Sequence, residues 1–146
     1  MRGAVSALFL LVGACQSLPP CVTPALQELR LRWGEQDSTG NTIRGYELTA
    51  RAELFQYEAT GDSILHRRLV GRLEPTLYCR LLIQAHRAFL TVQAFYVPAP
   101  LQRFVEYQAP AARMRAVWNP HYRTHGNELF WRLYDSLESA RSQLLR

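Results

Sequence analysis

The chain has 146 residues and 17 positive side chains, all arginine, against 12 acids, for a formal net charge of +5. A hydrophobic content of 48% with 20% charged residues is that of a folded domain, not a disordered polyelectrolyte, and the length allows one domain of ordinary size. Three cysteines without a CxxC pair exclude a disulfide-scaffold miniprotein, a zinc ribbon and a thioredoxin-type redox motif.

The chain opens with MRGAVSALFLLVGAC. Arg2 precedes an apolar run over 4–12, and the small residues Gly13 and Ala14 follow it. A positive start, a short apolar stretch and a small-residue end are the parts of an export signal. The run is shorter than the roughly 20 apolar residues that span a bilayer. A buried amphipathic helix would need polar residues at helical spacing, and 4–14 holds only Ser6. The segment resembles a bacterial lipoprotein signal, with Val12-Gly13-Ala14-Cys15 similar to a lipobox. The resemblance implies cleavage before Cys15, lipidation of Cys15 and attachment to a membrane through acyl chains. Gln16 is not the aspartate that the family associates with inner-membrane retention. In a two-membrane host the resemblance therefore implies outer-membrane delivery, facing the periplasm. On this reading 1–14 is the signal peptide, 15–27 is the lipidated cysteine with a proline-rich tether, and 28–146 is a single domain.

Cys21 and Cys79 are the remaining thiols. Outside the cytoplasm they either form a disulfide or stay as buried free thiols. A bridge would close a loop of about 59 residues and contribute roughly 4 kcal/mol in the chain-entropy model.

Past the tether, 28–33 alternates, with Leu29, Leu31 and Trp33 on one side and Glu28, Arg30 and Arg32 on the other, which predicts a half-buried strand. The stretch DSTGN at 37–41 is a turn. Tyr46, Leu48 and Ala50 then alternate with Glu47, Thr49 and Arg51, and the phase changes at Leu54-Phe55. A turn over 50–53 closing a hairpin is preferred to one long bulged strand. Thr60-Gly61-Asp62 is another turn, and 64–73 reads as strand, although Leu65, Leu69 and Leu73 also fit a helix. Glu74-Pro75 starts a helix whose apolar stripe is Leu77, Tyr78, Leu81, Leu82, Ala85, Ala88 and Phe89. An irregular crossover is expected over 89–97, ended by Pro98-Ala99-Pro100. Strands follow over 101–108 and 113–118, then a loop over 119–126. Asn127 is placed to cap a last helix that buries Leu129, Phe130, Leu133, Tyr134, Leu137 and Leu144 and exposes Arg132, Asp135, Glu138 and Arg141.

The order ββββ-α-ββ-α predicts an α+β fold: an antiparallel sheet of about six strands with two helices packed on one face. Gly45-Tyr46-Glu47-Leu48, Phe55-Gln56-Tyr57, Gly71-Arg72-Leu73 leading into a helix, and Leu133-Tyr134 in the closing helix follow one another in an order similar to emfourin-type metalloprotease inhibitors and related small secreted α+β domains. The resemblance implies that two-layer fold and makes protease inhibition an alternative activity.

Chemistry-bearing motifs are sparse. His121, His125 and Glu128 have the spacing of metal ligands on a helix, but Pro120 and Gly126 make the segment a loop, and Arg123 places a positive charge inside it. Solvated loop histidines are the expected state. His66 and His86 read as surface residues, and Ser38, Ser63 and Ser136 sit in no nucleophile elbow. Neither GxGxxG nor a P-loop is present. The expectation is a non-catalytic domain without a cofactor.

The expected binding surface is Arg113, Arg115, Trp118, His121, Tyr122 and Arg123, with Trp118 as core and the arginines as a solvated face the competing possibility. In the cytosol such a patch would suggest nucleic acid. The export signal directs it instead to an envelope protein or an anionic envelope component. The expected function is a cell-envelope lipoprotein acting as a binding or accessory domain. A protease inhibitor, and a small-ligand-binding domain or enzyme with a non-local site, are the alternatives. With no lysine in the chain, acylation of the Cys15 amine would leave the mature protein without a free amine. An amine-reactive dye should then fail to label the purified native protein; substantial labelling would place the processed N-terminus elsewhere.

Overall fold

Four alternating runs fill the first half of the domain as β1 (Arg30–Asp37), β2 (Thr42–Thr49), β3 (Glu53–Thr60) and β4 (Ser63–Arg72). The structure is a computed structural model and describes residues 17–92 and 94–146; Cys15 and the expected signal lie outside the described residues. The three hairpin corners are built differently. At the first, the Asp37 carboxylate accepts hydrogen bonds from the backbone N–H groups of Thr39, Asn41 and Thr42. At the third, Gly61 takes the left-handed conformation that closes the turn. The middle corner has no glycine. Ala52 adopts φ 60° there, and its N–H donates to the Thr49 carbonyl at 2.9 Å.

Helix α1 (Pro75–Thr91) starts with proline in its first turn, and the Glu74 carboxylate accepts from the Leu77 N–H at 3.0 Å. After it come β5 (Ala94–Tyr96), β6 (Leu101–Ala109), β7 (Ala112–Trp118) and α2 (Glu128–Leu144). The class is α+β. Among the described residues the strands form one seven-stranded sheet in the order β4-β3-β2-β1-β6-β7-β5, antiparallel except where β5 runs parallel to β7. This corrects the expected six-stranded antiparallel sheet. The added strand lies inside the expected irregular crossover, and three residues are too short to show an alternation.

Both helices lay their apolar stripes on one face of the sheet. Tyr78, Leu81, Leu82 and Phe89 of α1 and Phe130, Leu133 and Leu137 of α2 join Leu31, Trp33, Leu48, Val105, Tyr107 and Trp118 in one core. Each such large side chain contributes roughly 1.5–3 kcal/mol by leaving water. Trp118 stacks against Phe130 at 6.3 Å and meets Tyr134 edge-on at 5.8 Å.

Several expected details differ. Leu129 is exposed and Leu144 only half-buried, while Ala140 takes a core position. Glu138 and Arg141 are not on a solvated stripe: Glu138 accepts from the Trp33 indole at 2.8 Å, and Arg141 lies 5.1 Å over the Tyr46 ring. The Asn127 side chain does not cap α2. It accepts from the Thr124 N–H and donates to the Tyr122 carbonyl, so it ties down the preceding loop. Within the stretch 15–27 read as tether, Pro19 is buried, a short 3-10 turn forms over Pro24–Leu26, and Cys21, Val22 and Leu26 pack on the core. Prolines oppose regular ladders, not packing. Cys21 is disulfide-bonded to Cys79 of α1, with a Cα–Cα distance of 5.7 Å, so this segment is fastened to the domain.

At the centre of the sheet, Gly34 of β1 and Gly45 of β2 are direct partners. A Cβ on Gly45 would meet the Trp33 carbonyl oxygen, and one on Gly34 would meet the Arg44 carbonyl oxygen. These are backbone atoms that cannot rotate away. Gly45→Ala is therefore expected to cost about 2 kcal/mol or more through forced strand separation. Urea unfolding would show a lower midpoint; an unchanged midpoint would contradict the close approach.

Candidate binding face

The sheet face opposite the helices is where charge gathers. Alternation sends every second side chain there, and antiparallel register decides which of them meet. Register places Glu47 opposite Arg32, Arg32 opposite Glu106, and Glu106 opposite Arg115. Four adjacent strands, β2, β1, β6 and β7, thus carry a row of alternating sign.

The row is made of close contacts. Arg32 Nε donates to Glu47 Oε2 at 2.7 Å, and Arg32 Nη1 stands 3.7 Å from Glu106 Oε1. Arg115 Nη1 and Arg113 Nη2 donate to Glu106 Oε2 at 2.7 and 3.1 Å. Arg67, reaching across from β4, donates to Glu47 Oε1 at 2.8 Å. Arg115 also donates to Gln36, whose amide donates to Gln102 at 2.8 Å. Glu47 is 2% exposed and Glu106 1%, although no helix covers them. The arginines themselves form the cover.

Beside the charged row lies an apolar one. Tyr57, Gly45, Gly34, Phe104 and Val117 are consecutive partners across β3, β2, β1, β6 and β7. The Tyr57 and Phe104 rings flank the two glycines, and with Ala59 and Val117 they form a second buried cluster that contains no helix residue. Guanidinium groups sit over rings on this face. Arg67 lies 3.4 Å over Phe55 and Arg115 4.3 Å over Phe104.

Burial alone would raise the carboxyl pKa of Glu47, but hydrogen bonds from Arg67 and Arg32 outweigh it and hold the group below its ordinary 4.5. Glu106 follows the same balance, with burial opposed by Arg115 and Arg113. Burial pushes the Tyr57 hydroxyl up to about 12. A cavity of about 320 Å³ opens here, lined by Arg32, Gln36, Tyr57, Arg113, Arg115 and others. Glu106 also lines it, and its Oε1 is buried and accepts no hydrogen bond from the described residues. Four guanidinium groups meet two carboxylates in this network, leaving two positive charges in excess.

The sequence-expected surface is divided by the sheet. Arg113 and Arg115 belong to the charged face. Trp118 is fully buried on the helix side, because it lies an odd number of residues from Arg115 and so faces the opposite way. His121, Tyr122 and Arg123 are exposed in the loop after β7. The weak metal candidate is not assembled. Arg123 and Arg132 occupy the two Glu128 oxygens at 2.7 and 2.9 Å, and no group of three ligating side chains gathers among the described residues. His86 is not a free surface residue, since its Nε2 is 3.0 Å from the Tyr107 hydroxyl. The residues missed were Arg32, Gln36, Glu47, Arg67 and Glu106. Their signal was a polar or charged side chain at the outward positions of the strands.

No family model matches this chain, and no curated protein matches it. No helix among the described residues is long and apolar enough to cross a membrane.

Because both carboxylates are held below their ordinary value, the stability they confer is complete above about pH 4.5 and is lost as pH falls through their folded values. Thermal melts between about pH 7 and about pH 3 should show that loss. Glu106→Gln should cost about 2 kcal/mol near neutrality by weakening the charge-assisted hydrogen bonds from Arg115 and Arg113, and should flatten the acid limb. An acid limb identical to that of the unaltered protein would remove Glu106 from the account.

Proposed function

We propose that this protein is a cell-envelope lipoprotein, anchored through Cys15, whose domain is a non-catalytic binding module that takes anionic groups on the helix-free sheet face. The observation that carries the reading is the surplus of arginine over carboxylate around the cavity, where Arg32, Arg113 and Arg115 face Glu106 and Asp62 beside the Tyr57 ring. Guanidinium forks match carboxylate and phosphate geometry, and rings below them hold the forks in plane. The same chemistry favours holding over turnover. Arginines and carboxylates of depressed pKa neither give nor take a proton near neutrality, which general acid–base catalysis requires. Only Arg113 is widely exposed among the arginines around Glu106, at 64% of its side chain, so it is the group best placed to meet a partner first.

The anionic group belongs to an envelope component displayed near the membrane, either an acidic protein or a phosphate- or carboxylate-bearing molecule. A small ligand seated wholly in the cavity is the second reading, favoured by a volume within the range of small-molecule sites.

Calorimetry with the full chain in detergent, using glutarate and inorganic phosphate as probes, tests the face. Salt-sensitive binding that weakens about tenfold or more in Arg113→Glu is expected. No heat with either probe, or equal affinity in the variant, would defeat the reading. Growth with an alkyne-tagged fatty acid should label the protein, and Cys15→Ser should abolish the label.

A further inference from the structure

The strand β4 is an open sheet edge, and its chemistry selects what may pair with it. It is the last strand of the sheet on its side and has ten residues, of which 63–69 and Arg72 are exposed. Among the described residues no strand or helix lines its outer flank along that length; only its far end touches α2, where Gly71 meets Leu144. The other edge, β5, has three residues and offers little to pair with. Long edges are usually blunted against other chains. Here two register shifts against β3, between Leu54 and Phe55 and between Glu58 and Ala59, bend the edge near its ends, and between them the blunting is electrostatic.

The strand reads SILHRRLVGR, with three arginines, one histidine and no acid. Register puts these basic side chains on both faces. Arg67 pairs with Tyr57 and lies on the helix-free face, while His66 and Arg68 pair with Glu58 and Gln56 and project to the other side. Among the described residues Arg68 has no carboxylate within ion-pair distance, and its guanidinium donates to the Gln56 amide oxygen at 3.0 Å. A second copy pairing antiparallel through β4 would set this basic row against itself, which costs energy on both faces. Residues 1–16 of the chain contain no acid that could neutralise it. An acidic strand meets the opposite situation: backbone pairing with consecutive acids reaching cations on the two faces, and Ile64, Leu65 and Leu69, 45–58% exposed, offering apolar contact between them.

We propose that β4 is a docking edge that accepts an extended acidic segment of a partner protein by strand addition. The proposal is independent of anion binding on the open face. The arginines that refuse a second β4 are the ones that select the partner.

Fluorescence anisotropy with the full chain in detergent would use three ten-residue peptides: glutamate pairs separated by valine, which place acids on both faces of a strand, the same peptide with lysine for glutamate, and the glutamate peptide with every backbone nitrogen methylated. The first should bind and the other two should not. Hydrogen exchange should slow along 63–72 on binding. His66→Glu combined with Arg68→Glu, both exposed and outside the buried network, should weaken the glutamate peptide about tenfold or more and admit the lysine peptide, with an unchanged thermal midpoint. Equal binding of the methylated peptide would mean charge attraction without strand pairing, and would overturn the proposal. So would exchange protection confined to the helix-free face, absence of binding, or a β4-mediated dimer in sedimentation.

Discussion

Two carboxylates removed from water on an uncovered sheet face hold this fold in register. Glu47 joins β2 to β1 through Arg32 and to β4 through Arg67, while Glu106 joins β6 to β1 and to β7. A one-residue slip of any of these strands would turn its charge toward the hydrophobic core beneath the helices and leave its partner buried without a counter-ion. An apolar face would tolerate such slips far better. The ion-pair row is thus a register lock, and its contribution lies more in specifying one pairing than in net stabilisation, because burial of each carboxylate opposes the attraction of its arginines.

The row depends on the glycines beside it. A Cβ at Gly34 or Gly45 would strike backbone of the neighbouring strand, so only this pair lets β1 and β2 approach as they do. Tyr57 and Phe104 then take up the space beside the missing side chains, an arrangement in which aromatic rings cover exposed glycine backbone. Their rings in turn support the guanidinium groups of Arg32 and Arg115. Backbone approach, ring packing and charge geometry are consecutive links of one chain.

Which side chains face which way was legible from alternation alone: Leu31 and Trp33 inward, Arg32 and Glu47 outward, and both helix stripes nearly complete. What alternation does not encode is which outward residue meets which. Glu106 and Arg32 are 74 positions apart, and only the β1–β6 pairing brings them together. The outward position of Glu47 therefore looked like ordinary solvation, whereas it is buried under arginines. The expected patch of 113–123 is dispersed for the opposite reason, since neighbours in sequence are divided between the faces of a strand and a loop. The corner over 50–53 was legible from the phase change alone, although Ala52 closes it without a turn-forming residue, and β5 hid in a crossover because three residues carry no period. Pro19 and Pro24 concealed packing: they exclude regular structure, but Cys21 between them is bonded into the domain.

The composition with which the chain begins, all arginine and no lysine, is most simply a coding bias. It nevertheless supplies what this face needs. Arg67 donates to Glu47 through both Nε and Nη2 while its plane lies over Phe55. Arg113 uses the same fork on Glu106, and Arg115 divides its nitrogens between Glu106 and Gln36 over the Phe104 ring. A lysine ammonium has no plane to stack and no fixed fork, and its stronger hydration would draw it away from a buried carboxylate toward solvent. With lysine at these positions Glu47 and Glu106 would be left nearer to water and less constrained in direction. A neutral explanation of the residue choice and a demanding structural use of it are compatible: bias fills every basic position with arginine, and only the positions that roof the two carboxylates depend on it.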